Sequence, residues 1–161
     1  MEIDIELKKL KSDDYLIWSE NFYKINKDEF SNLISDFENI NGNIYSFWVY
    51  SKKNSQPIGF VQLLNVLRKP AYSATIEISI FEKFKNQGYG KLAIKKLENE
   101  AFEKLGLMKL ISPILPENLN SIKLFQSLNY QKMFIDPHAY FFNGKAMKCI
   151  IYHKISPRLI S

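Results

Sequence analysis

The chain has 161 residues, 46% of them hydrophobic and 24% charged, with a formal net charge of +5. That length and balance predict one globular domain over residues 1–161, able to bury a substantial core without disulfides or metal. The single cysteine, Cys149, excludes an intramolecular disulfide and a multi-cysteine metal site, and suits a reducing, cytoplasmic setting. No apolar run approaches the roughly 20 residues of a membrane span, and the lysines are scattered as on a solvated surface, so neither a membrane nor nucleic acid is an expected partner.

Ile3, Ile5 and Leu7 alternate with charged residues and predict an amphipathic first strand. Ser12-Asp13-Asp14 supplies an N-cap and first-turn acids for a helix from Tyr15 to about Asn26. Phe30, Leu33, Ile34 and Phe37 recur at helical steps and predict a second helix over Asp28–Phe37. Ile44–Tyr50 reads as a strand, Gln56-Pro57 as a turn, and Ile58–Leu64 as the next strand, which Lys69-Pro70-Ala71-Tyr72 breaks. Ala74–Phe81 is β-branched and alternating, a further strand. It runs into the polar stretch Glu82–Lys91, after which Ala93, Leu97, Ala101 and Leu105 repeat at helical spacing. Met108–Ile114 is a short apolar strand whose exit carries Pro113 and Pro116, so it should sit at a sheet edge or splay from a neighbour there. Asn118-Leu119-Asn120-Ser121 caps a helix that turns Ile122, Phe125 and Leu128 inward. Tyr130–Ile135 and Ala146–Ile155 are the last strands, joined by an Asn143-Gly144 hairpin that Tyr140–Phe142 extends. The sum is an α+β protein with a mixed sheet of about seven strands and about four helices.

The stretch Ala74–Lys91 carries the chemistry. A strand, a loop ending in Gly88 and Gly90, and a helix N-terminus follow one another, so unpaired backbone N–H groups and the helix dipole favour an anion there. Gly88-Tyr89-Gly90-Lys91-Leu92-Ala93 formally fits a dinucleotide fingerprint, but Glu82–Gln87 separate it from its strand and strands precede it in a meander, which excludes a nicotinamide site. A nucleoside-triphosphate loop is excluded because no Ser or Thr follows Lys91 and the upstream glycine is missing.

Lys85-Asn86-Gln87-Gly88-Tyr89-Gly90 resembles the Arg/Gln-x-x-Gly-x-Gly/Ala motif of the Gcn5-related N-acetyltransferases, with lysine in the first position. Asn118–Tyr130 is similar to a second motif of that family, Asn-x-x-Ala/Ser-Ile-x-Leu-Tyr-x-x-x-Gly-Phe, and the order of elements matches over roughly the C-terminal two-thirds of the chain. The ending, Tyr140–Lys145 and an apolar strand, looks like the branch of ribosomal-protein alanine and spermidine acetyltransferases.

The resemblance implies a mostly antiparallel sheet with a splayed central strand pair, and acetyl-CoA as co-substrate with no metal. The backbone of Ile78, Ser79 and Ile80 is expected on the pantetheine arm and thioester. The loop Lys85, Asn86, Gln87, Gly88, Tyr89, Gly90 and Lys91 is expected on the pyrophosphate, and Asn118 and Ser121 near the pantetheine end. The implied reaction is transfer of acetyl to a primary amine (a protein N-terminus, a polyamine or another small amine) by direct attack in a ternary complex. Glu77 is the candidate base, or the carboxylate that orients the acceptor. The tyrosine that many family members carry at the position of Phe125 is absent, which motivates the alternative of a catalytically silent CoA-binding domain. Tyr89, Tyr130 and Tyr140 are the hydroxyls left as proton donors, with nothing to place one at the thioester. Trp18, Phe22 and Tyr23 are candidates for either an acceptor pocket or a core stripe. Glu20, Asp28, Glu29, Asp36 and Glu38 make the region acidic, as a cationic amine or a solvated helix face would suit. Cys149, in an apolar strand, reads as a buried structural thiol. The sequence is open to a homodimer.

Overall fold

The computed structural model describes residues 3–22, 25–39 and 42–160, the side chains of 36–39 excepted. Seven strands form one sheet: β1 (Ile5–Lys9), β2 (Tyr45–Ser51), β3 (Gln56–Leu67), β4 (Ser73–Ile80), β5 (Lys109–Ile114), β6 (Gln131–Phe142) and β7 (Lys145–Ile155), in the spatial order β1-β2-β3-β4-β5-β7-β6. Only β4 and β5 run parallel; every other neighbouring pair is antiparallel. The helices are α1 (Tyr15–Asn21), α2 (Lys27–Asn39), α3 (Tyr89–Asn99) and α4 (Leu119–Ser127), with α3 continued by a π turn over Glu100–Lys104.

Both sheet faces are covered. Ala93, Ile94, Leu97 and Ala101 recur on one face of α3 and its continuation and are fully buried against β1, β3 and β4. On the opposite face, Trp18 of α1 meets Phe22, Phe30, Trp48 and Phe60 at ring separations of 4.6, 5.6, 6.2 and 5.4 Å. Trp18 is 3% exposed and Phe22 half-buried within this aromatic cluster, so both are core residues; Tyr23 lies outside the described residues.

Several boundaries differ from expectation for local reasons. Helix α1 stops at Asn21 because Phe22 is extended, with φ −126°. Helix α2 starts one residue early, since the Asn26 side chain accepts from the Glu29 N–H while Glu29 Oε2 accepts from the Asn26 N–H, each at 2.8 Å. Pro57 sits inside β3 rather than in a turn, opposite Tyr50 and beside a bulge that leaves Ile58 of β3 without an opposite residue in β2. Strand β6 runs to Phe142 because three residues, Pro137–Ala139, bulge out against Lys148 alone. The hairpin tip is as expected, with Asn143 and Gly144 at φ 48° and 72°.

Gly59 marks the tightest approach in the sheet. A Cβ there would lie 2.5 Å from the Ser79 carbonyl oxygen and 3.0 Å from Ile80 Cα, both backbone. Gly59→Ala must therefore push β4 off β3, with an expected loss of about 2–3 kcal/mol. Thermal unfolding should show a midpoint lower by roughly 5–10 °C. An unchanged midpoint would show that the two strands part freely at this point.

Candidate functional site

The parallel pairing of β4 and β5 is short. It joins Ser73–Thr75 to Lys109–Ile111 and then ends, while β4 stays on β3 to Ile80 and β5 stays on β7 to Ile114. Pro113, which has no N–H to offer β4, lies where the strands have already parted. Strand β5 thus lies inside the sheet rather than at its edge, and the splay is on its β4 side. The β5-facing backbone groups of Ile78–Ile80 have no strand to pair with, and a cavity of about 400 Å³ opens beside them.

The cavity floor is Ile78, Ser79 and Ile80; the loop from Phe84 to Lys91 forms one wall and the start of α4 the other. Gly88, at φ +85°, is the N-cap of α3, and no side chain caps that helix, so its first N–H groups remain available. Among the described residues, Lys85 and Lys91 are the only charged ones lining the cavity, and no carboxylate lines it with them. Lys85 also pairs with Glu82 at 2.5 Å in an exposed bridge that an anion can displace. Gly90 lets the two helices approach, since a Cβ on it would lie 3.3 Å from Leu124 Cδ2. At the head of α4 the Asn118 side chain accepts from the Ser121 N–H at 3.2 Å. Asn118 caps and faces the cavity at once.

Of the residues expected on the cofactor, Ile78, Ser79, Ile80, Lys85, Asn86, Gly88, Gly90, Lys91, Asn118 and Ser121 line this one cavity. Two others turn away. Gln87 donates its side-chain amide to the Lys83 carbonyl at 2.9 Å, and Tyr89 is buried with its ring edge-on to Phe84 at 6.1 Å. Phe84, Asn120 and Leu124 line the cavity without having been singled out. Leu124 was legible, three residues after Ser121 and so on the same helix face.

Strand alternation puts Glu77 on the other side of the sheet. Ile78 and Ile80 point toward Gly90 of α3, each 3.9 Å from where a Cβ on that residue would lie, whereas Glu77 stands opposite Gln62 on the face of the aromatic cluster. Gln62 Nε2 donates to Glu77 Oε2 at 2.8 Å, and the Ser46 hydroxyl donates to Gln62 Oε1 at 3.3 Å. On the final hairpin, burial of the Tyr140 hydroxyl, then the charge of Glu77, push its phenol up to about 12. It stays a protonated donor at neutral pH.

The other hydroxyls are placed elsewhere. Tyr130 is 3% exposed, and burial followed by the Glu98 charge raises its phenol far above the usual range. Its ring meets Phe125 edge-on at 4.8 Å, and Phe125 is buried. Cys149 is fully buried, which pushes its thiol up and keeps it protonated and structural. Of the acidic residues near α1 and α2, Glu29 is held by its capping bonds. Glu20 lies in a groove with Lys8, Lys9 and Lys11, and the side chains of Asp36 and Glu38 are outside the described residues.

A family model for the acetyltransferase (GNAT) domain matches residues 6–131. The chain belongs to the GNAT acetyltransferase family. Its activity class is N-acetyl transfer to an amine, and members of the family use acetyl-CoA. Solved structures agree on the fold of this GNAT chain. Spermidine/spermine N-acetyltransferase SpeG from Vibrio cholerae, in complex with manganese ions, is 18% identical at a TM-score of 0.82, over 97% of this chain and 95% of that one. Ribosomal-protein-S5-alanine acetyltransferase from Vibrio fischeri is 18% identical at 0.78, over 98% and 96%. RimJ from Mycobacterium smegmatis, in complex with CoA-disulfide, is 13% identical at 0.85, over 98% and 84%. No curated protein sequence matches the chain.

Proposed function

We propose that this GNAT chain holds acetyl-CoA in the β4–β5 wedge and acetylates a small or N-terminal primary amine presented to Glu77 from the opposite face of the sheet. The observation that carries the reading is the pairing of two unlike sites on one strand, a cationic cavity without carboxylates on one side of β4 and a hydrogen-bonded carboxylate on the other.

The residues fit the co-substrate. The uncapped N-terminus of α3, with Lys85 and Lys91, suits a pyrophosphate, and the unpaired backbone of Ile78–Ile80 suits an extended amide-bearing arm that continues the sheet. Bound there, acetyl-CoA supplies the activated acetyl group. Glu77 receives the proton that a cationic amine must lose before it can act as a nucleophile. Gln62 fixes the orientation of that carboxylate. Phe125 has no proton to give, so the proton for the departing thiolate comes from another hydroxyl or from water. An acceptor that arrives as an ammonium suits a carboxylate with only neutral donors around it; among the described residues Glu77 has no Lys or Arg ion-pair partner. Polyamines and protein N-termini meet that description, and the similar structures named above include enzymes for both. The buried, reduced Cys149 agrees with a cytoplasmic setting.

The test is thiol release from acetyl-CoA with spermidine, an alanine-terminated peptide and simple alkylamines as acceptors. Turnover with at least one cationic amine is expected. No release with any acceptor, together with no CoA binding by calorimetry at millimolar concentration, would overturn the reading. Binding without turnover would instead favour a silent CoA-binding domain.

A further inference from the structure

Lysines that are scattered along the chain are gathered by the fold. Lys8 and Lys9 of β1, Lys11 just beyond it and Lys83 after β4 border a groove of about 530 Å³, which helix α1 flanks with Ile17 and Asn21. Trp48 and Tyr50 of β2 line it as well, and their placement is fixed. Trp48 Nε1 donates to Asp14 Oδ2 at 2.8 Å, and the Lys11 N–H donates to the same oxygen at 2.7 Å, so neutral donors already occupy the Asp14 carboxylate. Lys8 Nζ stands 3.6 Å from the centre of the Tyr50 ring and 3.6 Å from Glu6 in an exposed pair. Among the described residues, Lys9, Lys11 and Lys83 have no carboxylate partner. Glu20 is the other carboxylate on the rim, so the groove keeps an excess of positive charge.

We propose that this groove docks an acidic polypeptide segment, the part of a protein acceptor that follows the N-terminal amine presented to Glu77. The link to the amine rests on the acetyl-transfer reading; the docking itself does not. Register places groove and carboxylate on one face of the sheet. Lys8 stands opposite Trp48, Trp48 opposite Phe60, and Phe60 opposite Ser79, and residues that stand opposite share a face. Ser79 is exposed and lies two residues from Glu77, on the same side of β4. Three strand spacings and two residues of rise put Lys8 about 16 Å from Glu77, so an acceptor needs at least about five extended residues to reach from one to the other. A small amine, spermidine included, is too short to use both. The groove also suits a polypeptide better than a polyanion with a charge on every unit. Glu20 and Asp14 interrupt the lysines, which a chain of alternating acidic and neutral residues accommodates. Strand β1 is the outer strand of the sheet, and Lys9, which alternation turns to the other face, still borders the groove, so the groove reaches the open β1 edge. An extended peptide can pair with that edge through its own backbone.

Two measurements on the full chain test this, and only one needs turnover. The first is fluorescence anisotropy of a dye-labelled peptide with a blocked N-terminus, neutral at its start and carrying alternating aspartates beyond the fifth residue. It should bind at low salt, and affinity should fall about tenfold when the ionic strength is raised from about 0.05 M to about 0.5 M. The double variant Lys11→Glu/Lys83→Glu, changed only at exposed side chains, should bind it at least about tenfold more weakly. Equal affinity of wild type and variant, or of the acidic peptide and a neutral one, would overturn the inference. So would a single-stranded oligonucleotide that binds more tightly than the peptide and is released by the same two substitutions, because the groove would then be a nucleic-acid surface. The second measurement is thiol release with alanine-terminated peptides. The acidic peptide should show a KM about tenfold below its neutral counterpart, a preference that disappears in the double variant while kcat with spermidine stays within about twofold. An active enzyme with no such preference overturns the docking of acceptors. Peptide binding that the double variant abolishes, in a protein that acetylates no amine, would sink the acetyl-transfer reading while the groove stands as a docking surface.

Discussion

Gly88→Glu is expected to weaken CoA binding by about 100- to 1,000-fold in a protein that still folds. The reason is charge placed on a special backbone rather than bulk. Gly88 sits at φ +85°, and among the described residues the only atom a Cβ would approach is Ile3 Cδ1 at 3.5 Å, so there is room for a side chain. A residue other than glycine in that conformation loses roughly 1–2 kcal/mol, which an ordinary domain tolerates. The carboxylate, however, would stand at the uncapped first turn of α3, where it can accept from the same N–H groups that an anion needs. It would also repel that anion: two unit charges about 4 Å apart interact by about 4 kcal/mol near a protein surface, and every 1.4 kcal/mol is about tenfold in affinity. Gly88→Ala carries the same backbone strain without the charge and should lose far less. Calorimetric titration with CoA reads both variants. Equal affinities for wild type and Gly88→Glu would show that the pyrophosphate is held elsewhere.

Glu77→Gln should lower kcat/KM for the amine by about 10²–10⁴-fold, the usual contribution of a positioned base, while the dissociation constant for CoA stays unchanged. The separation follows from strand alternation, because the Glu77 side chain leaves the sheet on the face opposite the cavity. Steady-state thiol release at several pH values, with CoA affinity measured alongside, is the check. A value within threefold of wild type would reduce Glu77 to an orienting group.

The elements that sequence alone made legible are those whose cause is local. The Asn143-Gly144 tip requires two positive φ angles, Asn118 caps the helix that starts beside it, and a strand running through two glycines into a helix declares an anion site within one short stretch. Missed boundaries had non-local causes. Pro57 enters β3 beside the bulge at Ile58, which depends on pairing with β2, and Pro137 hides the continuation of β6 because the bulge that absorbs it depends on pairing with β7. The cofactor side of the candidate site was readable for the same reason, since most of it is one contiguous loop. The acceptor side was not. Ser46, Gln62 and Glu77 come from three strands, and no spacing in the chain announces that they meet. Tyr140 was one of three equivalent hydroxyls until the fold separated them: Tyr89 packs on Phe84, Tyr130 on Phe125, and Tyr140 lies on the final hairpin.

The splay between β4 and β5 has a consequence for traffic. A cavity on the α3–α4 side and a carboxylate on the aromatic side give the protein two doors, with β4 as the wall between them. On the proposed reading, a donor leaving by one door would not have to wait for an acceptor to clear the other. The gap beyond Thr75, where β4 has lost β5 but keeps β3, is where occupants of the two rooms would touch on the proposed reading. Such a plan lets the acceptor room be rebuilt for a new amine by changes in the hairpin and the first two helices, with the donor room left as it is.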